Sequence, residues 1–291
     1  MTNVKSLREC VKEAESNGVA IGHFNISNLE GLHAIYSAAK KLNVPVIIGV
    51  SEGEEAFVGR SEARALVQAI RERDSFPIFL NADHHASFES VKKAIDEGFD
   101  SVIIDVAKLS FGENVKITKE CVDYARAVSK ETGRDILVEG ELGYIGSGSN
   151  IKDTIPEGAG VLTNPEEAQK FVEMTGIDML APSVGSIHGL IRSGKPHIDA
   201  DLVKEIRNAC GVPLVLHGGS GLRDVDFTNA IASGIGIVHI NTEIRVAFTE
   251  GLKESLEKNS DEVVPYKIMQ PAQDAIEEIV LERLRLFNNL K

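Results

Sequence analysis

Six of the eight histidines in this 291-residue chain, His23, His84, His85, His188, His217 and His239, fall near the ends of short apolar runs, in company with Asp83, Asp105, Glu139 and Glu141. Three of them on separate runs, His84, His188 and His217, can converge on one divalent metal and leave an open coordination position for a substrate oxygen. A lone histidine in such a place is more often a hydrogen-bonded rim residue, so it is the joint pattern that points to a metal. Asp83 directly precedes His84, and on a regular strand their side chains diverge unless the strand end bends. The plainer role for Asp83 is a cap for the helical segment opened by Ser87. A second signal is His217-Gly218-Gly219-Ser220-Gly221, where residues without a Cβ let backbone N–H groups wrap an anion ahead of a helix. A glycine cluster alone usually marks only a turn. Here Asn241-Thr242 lies where the other half of a phosphate site would be.

These residues need elements to position them, and β-branched runs recur along the chain: Val19–Phe24, Val44–Val50, Pro77–Ala82, Ser101–Asp105, Ile136–Glu141, Asp178–Val184, Pro213–Leu216 and Gly236–Ile240. Stretches of helical period alternate with them at Leu29–Leu42, Ser61–Arg73, Phe88–Gly98, Val115–Thr132, Asn164–Thr175, Ala200–Ala209, Asp224–Ser233 and Glu243–Lys258. Asn164-Pro165-Glu166-Glu167 reads as a helix start, with a cap, a proline at the first helical position and acids at the positive dipole end. Strand followed by helix, repeated eight times with near-continuously apolar strands, predicts an α/β fold of parallel strands, a (β/α)8 barrel. No GxGxxG follows the first run, which sets aside a dinucleotide-binding sheet. No linker divides residues 1–291, so a single domain is expected, with extra helices at Val4–Asn17 and Pro271–Phe287. Gly143–Gly160 is a long connection of the kind that serves as an active-site loop. In such a barrel the site forms at the carboxyl ends of the strands, where Asn25, Ser51 and the histidines above are placed.

Composition bounds the partners. With 43% hydrophobic and 26% charged residues the chain is globular, and 31 basic against 44 acidic residues give a formal charge of −13. General attraction to nucleic acid or to anionic membranes is therefore not expected, and an anionic ligand needs a local site. Met1–Gly18 does not read as a signal peptide, no run approaches a membrane span, and Cys10, Cys121 and Cys210 form no pairing pattern. A cytoplasmic protein is the expectation.

Taken together, Phe24-Asn25-Ile26-Ser27-Asn28, Asp83-His84, Phe99–Asp105, Val138-Glu139-Gly140-Glu141-Leu142-Gly143, His188-Gly189, Leu216–Gly221 and Asn241-Thr242-Glu243 resemble, in order and spacing, the class II, metal-dependent fructose-bisphosphate and tagatose-bisphosphate aldolases over nearly the whole chain. The resemblance implies zinc, or a cobalt-like substitute, on His84, His188 and His217, with Glu141 behind the ligands or replacing one when the metal shifts. It implies that Asp83 transfers the proton at the hydroxyl where the carbon–carbon bond breaks. Asn25, Ser51, Gly189, Gly218, Gly219, Ser220, Gly221, His239, Asn241 and Thr242 would hold a phosphorylated sugar, with dihydroxyacetone phosphate as the donor half. A monovalent cation near the glycine loop and a homo-dimer or homo-tetramer complete what the resemblance implies.

The departures are equally specific. Where family members carry Gly-Gly and acidic residues after strand five, this chain reads Gly146-Ser147-Gly148-Ser149-Asn150, leaving Asp153, Glu157 or Glu141 to replace the missing carboxylate. His239 stands for an asparagine, and His85 and His23 for small residues; these histidines are expected either to be neutral changes or to reshape the pocket or bind a second anion. Val264-Pro265-Tyr266-Lys267 lacks the family's arginine for a far phosphate, which leaves Arg192 and Lys195 as candidates for anion contact. Two other readings fit parts of the pattern: a non-catalytic barrel that retains metal and phosphate binding, and a metal-assisted hydrolase. The helix Pro271–Phe287, apolar at Ile276, Ile279, Val280, Leu284 and Leu286, is as well suited to its own barrel as to a neighbouring copy.

Overall fold

The computed structural model describes residues 4–146, 148–155, 160–194 and 196–291. Eight parallel strands close into a barrel: β1 (Ile21–Asn25), β2 (Val46–Ser51), β3 (Ile78–His85), β4 (Ser101–Ile104), β5 (Leu137–Leu142), β7 (Met179–Pro182), β9 (Leu214–Leu216) and β10 (Ile235–Ile240). Each pairs with the next barrel strand along the chain, and β10 returns to pair with β1, so the (β/α)8 architecture holds. Two short strands, β6 (Ile151–Lys152) and β8 (Leu190–Ile191), pair with each other outside the barrel and tie the long loop after β5 to the loop after β7.

The helices are α1 (Leu7–Asn17), α2 (Leu29–Leu42), α3 (Glu52–Val58), α4 (Arg60–Asp74), α5 (Phe88–Glu97), α6 (Phe111–Thr132), α7 (Pro165–Thr175), α8 (Ala200–Cys210), α9 (Asp224–Ser233), α10 (Thr242–Lys258) and α11 (Pro265–Phe287). Side chains fix where several begin: Asn28 accepts from the Gly31 amide, Ser87 from Ser90, Asn164 from Glu166 and Glu167, and Asp199 from Leu202. Among the described residues, no helix is long and apolar enough to cross a membrane.

Strand periodicity splits the apolar residues into two sets. Outward positions such as Val46, Ile48, Val102, Ile104, Val138, Leu180, Val238 and Ile240 pack under the helices. Inward positions Ile21, Ile47, Phe79, Ile103, Leu137, Met179, Val215 and Ile237 form a separate cluster with Leu7, Cys10, Val11 and Ala14 of α1, which plugs the amino-terminal end of the barrel. The interior is thus sealed at one end, and access is from the other.

Some expected boundaries move. The last helix begins at Pro265 and Pro271 lies inside it, so the proline does not start it. That helix packs on its own barrel, against α2 and α10, burying Ile276, Val280, Leu284 and Phe287. The sixth helix starts at Phe111, four residues before Val115, because Ser110 and Glu113 form a reciprocal cap. The short α3, opened by a similar pair at Ser51 and Glu54, has no counterpart in the periodicity reading. The strand ahead of His188 ends at Pro182, which puts that histidine in the following loop.

Candidate active site

Followed towards their carboxyl ends, the inward positions turn from apolar to polar. Above the apolar layer the same faces of the strands carry His23, Gly49, Asn81, Glu139 and His239, with His217 just past β9, and above these come Asn25, Ser51, Asp83 and Glu141. Most of these polar side chains are buried, so each requires a partner. At the end of β3 the backbone of His84 is left-handed, with φ of 52°, and the pairing with β4 shifts register between Ala82 and His85. That bend cancels the expected divergence: Asp83 and His84 both line one cavity of about 390 Å³. Asp83 is not a helix cap, since Ser87 caps α5.

His84, His188 and His217 meet there, with one ring nitrogen of each lying within 4.8 Å of the others. Each uses its remaining nitrogen elsewhere: His84 Nδ1 lies 2.9 Å from Asp105 Oδ2, His188 Nδ1 2.9 Å from the Gly146 carbonyl, and His217 Nε2 2.7 Å from Glu139 Oε1. His84 Nε2 and His217 Nδ1 face each other at 2.9 Å. Outer partners on carboxylates or carbonyls are what orient imidazoles towards a metal and raise their basicity. Glu141 does not reach the cavity wall; its Oε2 is buried without a hydrogen bond, 3.5 Å from His84 Nδ1.

The electrostatics are dominated by one positive charge. Burial opposes a proton on His84, but Asp83, the hydrogen bond to Asp105 and Glu141 raise its pKa to about 10. Burial and then the His84 charge push His188 and His217 down to about 3. Burial raises Glu139 and Glu141 well above the usual carboxylate range, with Asp83 and Asp105 respectively adding to the effect. Asp83 goes the other way, because His84 and His239 outweigh its desolvation. The site therefore favours a cation at its centre.

Asn25, Ser51, Gly189, Gly218, Gly219, Ser220, His239, Asn241 and Thr242 all line the same cavity. Gly218 has φ of 64°, and a Cβ there would stand 2.7 Å from the Ile187 carbonyl carbon, so the loop's close approach to the His188 segment requires glycine. Gly221 lies off the cavity wall and its N–H donates to Glu243 at 2.7 Å. Asp153 and Arg192 pair with each other at 3.0 Å on exposed side chains away from the cavity, and Lys267 pairs with Glu262 at 3.3 Å. Ser147, Glu157 and Lys195 lie outside the described residues. His85 is also turned away from the cavity, with Nδ1 2.6 Å from Ser90 Oγ and Nε2 3.3 Å from Glu55.

Two participants escaped the sequence reading. Arg245, one turn into α10, lines the cavity and bonds Glu54 at 2.5 Å and the Ser149 carbonyl at 3.1 Å. Glu54 in turn accepts from Asn25 at 2.8 Å and from Ser51 Oγ at 2.9 Å. The only local signal for Glu54 was its place three residues after Ser51, and Arg245 had none beyond following Asn241-Thr242. Asp105 and Glu139 were visible at strand ends, but their pairing with particular histidines was not.

The chain is similar to known proteins over nearly its whole length. A model of the family described as fructose-bisphosphate aldolase class-II matches residues 5–291. The chain belongs to the class II fructose-bisphosphate aldolase family. It is 39% identical over 287 residues to a fructose-bisphosphate aldolase of Geobacillus stearothermophilus, covering 98% of this chain and 96% of the relative. A probable fructose-bisphosphate aldolase of Bacillus subtilis is 38% identical, with 98% and 97% covered. The solved structure of the YdjI aldolase from Escherichia coli K12 superposes with a TM-score of 0.81 at 31% identity, over 98% of this chain and 97% of that one. This class II aldolase is thus an enzyme, a carbon–carbon lyase of a metal-dependent family whose substrates are phosphorylated sugars.

Proposed function

We propose that this class II aldolase cleaves a ketose phosphate of the fructose- or tagatose-bisphosphate kind to dihydroxyacetone phosphate and an aldehyde, with zinc held by His84, His188 and His217. The observation that carries the reading is that all three imidazoles have one nitrogen engaged by Asp105, Gly146 or Glu139 while their other nitrogens converge. When bound there, a divalent metal supplies a Lewis acid that lowers the cost of negative charge on the substrate's ketone and hydroxyl oxygens.

The chain's own groups do the rest. Gly218, Gly219 and Ser220 offer backbone and hydroxyl donors to the donor-half phosphate, with Asn241 and Thr242 at the start of α10. A monovalent cation beside that loop is part of the proposal. Asp83, kept ionised by its surroundings, accepts the proton of the hydroxyl on the carbon that becomes the aldehyde. Arg245 is the one arginine or lysine on the cavity wall among the described residues, which suits it to a distant anionic group and replaces Arg192 in that role. One domain carries all of this; the unpaired cysteines fit the cytoplasm, and self-association into dimers or tetramers follows the family resemblance.

Proton NMR tests the reading. In deuterated buffer the zinc-loaded protein is expected to exchange one hydroxymethyl proton of dihydroxyacetone phosphate stereoselectively, and a chelator to stop it. Absence of exchange with metal demonstrably bound would overturn it in favour of a hydrolytic or binding-only barrel.

A further inference from the structure

His23 and His239 stand directly opposite each other on β1 and β10, and their rings stack at a centroid distance of 3.5 Å with planes 4° apart. The two departures from the family pattern are therefore one physical feature. His23 is fully buried and fits only because residue 49 is glycine: a Cβ there would stand 2.1 Å from His23 Cε1. Its ring is also held in rotation. Ser101 Oγ donates to Asn81 Oδ1 at 2.8 Å, which turns the Asn81 amide nitrogen towards His23 Nε2 at 3.1 Å. The neutral ring then accepts at Nε2 and carries its proton on Nδ1.

His239 lies between this fixed ring and His217, whose centroid is 3.9 Å away. From that position its Nδ1 reaches to 3.3 Å of Asp83 Oδ1, while Asp83 Oδ2 accepts from Asn25 at 2.8 Å. The Asp83 carboxylate is hydrogen-bonded at Oδ2 by Asn25, while its Oδ1 accepts no hydrogen bond and has as its near neighbour the His239 ring that rests on His23.

We propose that His23 is a positioning residue that acts through His239 to fix the Asp83 carboxylate for proton transfer at the acceptor-side hydroxyl. The inference rests on the aldolase reading above. In the step concerned, the hydroxyl proton passes to the Asp83 carboxylate and the carbon–oxygen bond becomes the aldehyde carbonyl. The electron pair of the broken carbon–carbon bond stays with the donor half, which is then protonated at carbon. Misplacing Asp83 slows bond cleavage but leaves proton exchange at the donor carbon untouched, because that exchange needs no acceptor hydroxyl.

The test is His23→Ala in the metal-loaded protein, with fructose bisphosphate and tagatose bisphosphate for cleavage and dihydroxyacetone phosphate for exchange. Expected are a fall in cleavage kcat of about tenfold or more, KM within about threefold, and unchanged exchange rate and metal stoichiometry. His23→Phe, whose flat ring refills the space over Gly49, is expected to recover most of the loss. Equal falls in cleavage and exchange, no fall in cleavage, or no recovery with Phe would each overturn the proposal. Should His23→Ala fail to fold, Asn81→Ala frees the ring without emptying its site, and the same split between cleavage and exchange is expected; its absence is decisive against the idea. A wild-type protein that neither cleaves nor exchanges would instead remove the aldolase reading on which this one stands.

Discussion

Replacing Glu139 by glutamine isolates the outer support of one proposed metal ligand. Glu139 Oε1 lies 2.7 Å from His217 Nε2, and both side chains are about 2% exposed or less, so no water substitutes for the contact. In the metal-free protein burial holds Glu139 well above the usual carboxylate range, which makes it a neutral acid that glutamine closely imitates. A metal on His217 withdraws electrons from the ring and favours the ionised carboxylate, which glutamine cannot supply. The change therefore strikes the loaded state selectively. Loss of such an outer partner weakens metal binding about 10- to 100-fold, or about 1.4–2.8 kcal/mol. Competition against a chromophoric chelator measures the affinity, and thermal unfolding with and without metal separates the two states. The expected result is a metal-free melting temperature close to that of the wild type, with a reduced upward shift on adding zinc. Wild-type metal affinity, or an equal loss of stability in both states, would refute the reasoning.

Asp83→Asn should keep stoichiometric metal while cleavage kcat falls at least about 100-fold, as expected for loss of a proton-transfer group; assays of bound zinc and turnover on one sample check it. Gly49→Ala drives a methyl group into the His23 ring and should cost about 1–3 kcal/mol by denaturant unfolding, with the double change to His23→Ala recovering part of the loss. His84 carries a proton in the metal-free site, with its pKa raised to about 10, so zinc binding at neutral pH should release about two protons, one from His84 and one from Glu139 as it ionises. Because this pKa lies above that of an unfolded histidine, the proton stabilises the metal-free fold below the unfolded value, and that contribution is lost as pH rises through about 10. Calorimetry in buffers of different ionisation enthalpy reads the proton count, and zero release contradicts the assignment. Arg245→Met should raise KM for a ketose bisphosphate by about tenfold, the size of a charge-assisted contact, with little change in donor exchange; equal effects on both would place Arg245 elsewhere.

How much of this was readable in the chain depended on range. Leu29–Leu42 coincides with the structure because amphipathic period and the Asn28 cap define a helix within its own residues, and Asp224–Ser233 coincides too although no side chain caps its start. The closed barrel followed from counting strand and helix alternations. By contrast, the expected start at Pro271 falls inside a helix that opens at Pro265, where the interior proline sits in a helix packed on α2 and α10. The convergence of His84, His188 and His217 was legible because each sits at or just beyond a strand end. Their outer partners were not, since which carboxylate meets which imidazole depends on barrel stagger. The Arg245–Glu54 link joins residues 191 positions apart, and no local pattern announces it. Gly49 falls inside the expected strand Val44–Val50, and its need to be glycine comes from the His23 ring, which is 26 positions away in the chain and leaves no local pattern.

The left-handed backbone at His84 carries a consequence for how this scaffold can change. An L-residue with φ of 52° forfeits about 1–2 kcal/mol against a relaxed conformation, so the position screens every replacement twice, once for chemistry and once for shape. Alanine loses the imidazole and keeps the strain, whereas glycine loses the imidazole and relieves it. A lineage or a designer abandoning lyase chemistry on this barrel thus has a downhill route through glycine at residue 84, while β-branched residues are shut out. The same bend that delivers the ligand makes the site easier to erase cleanly than to reassign.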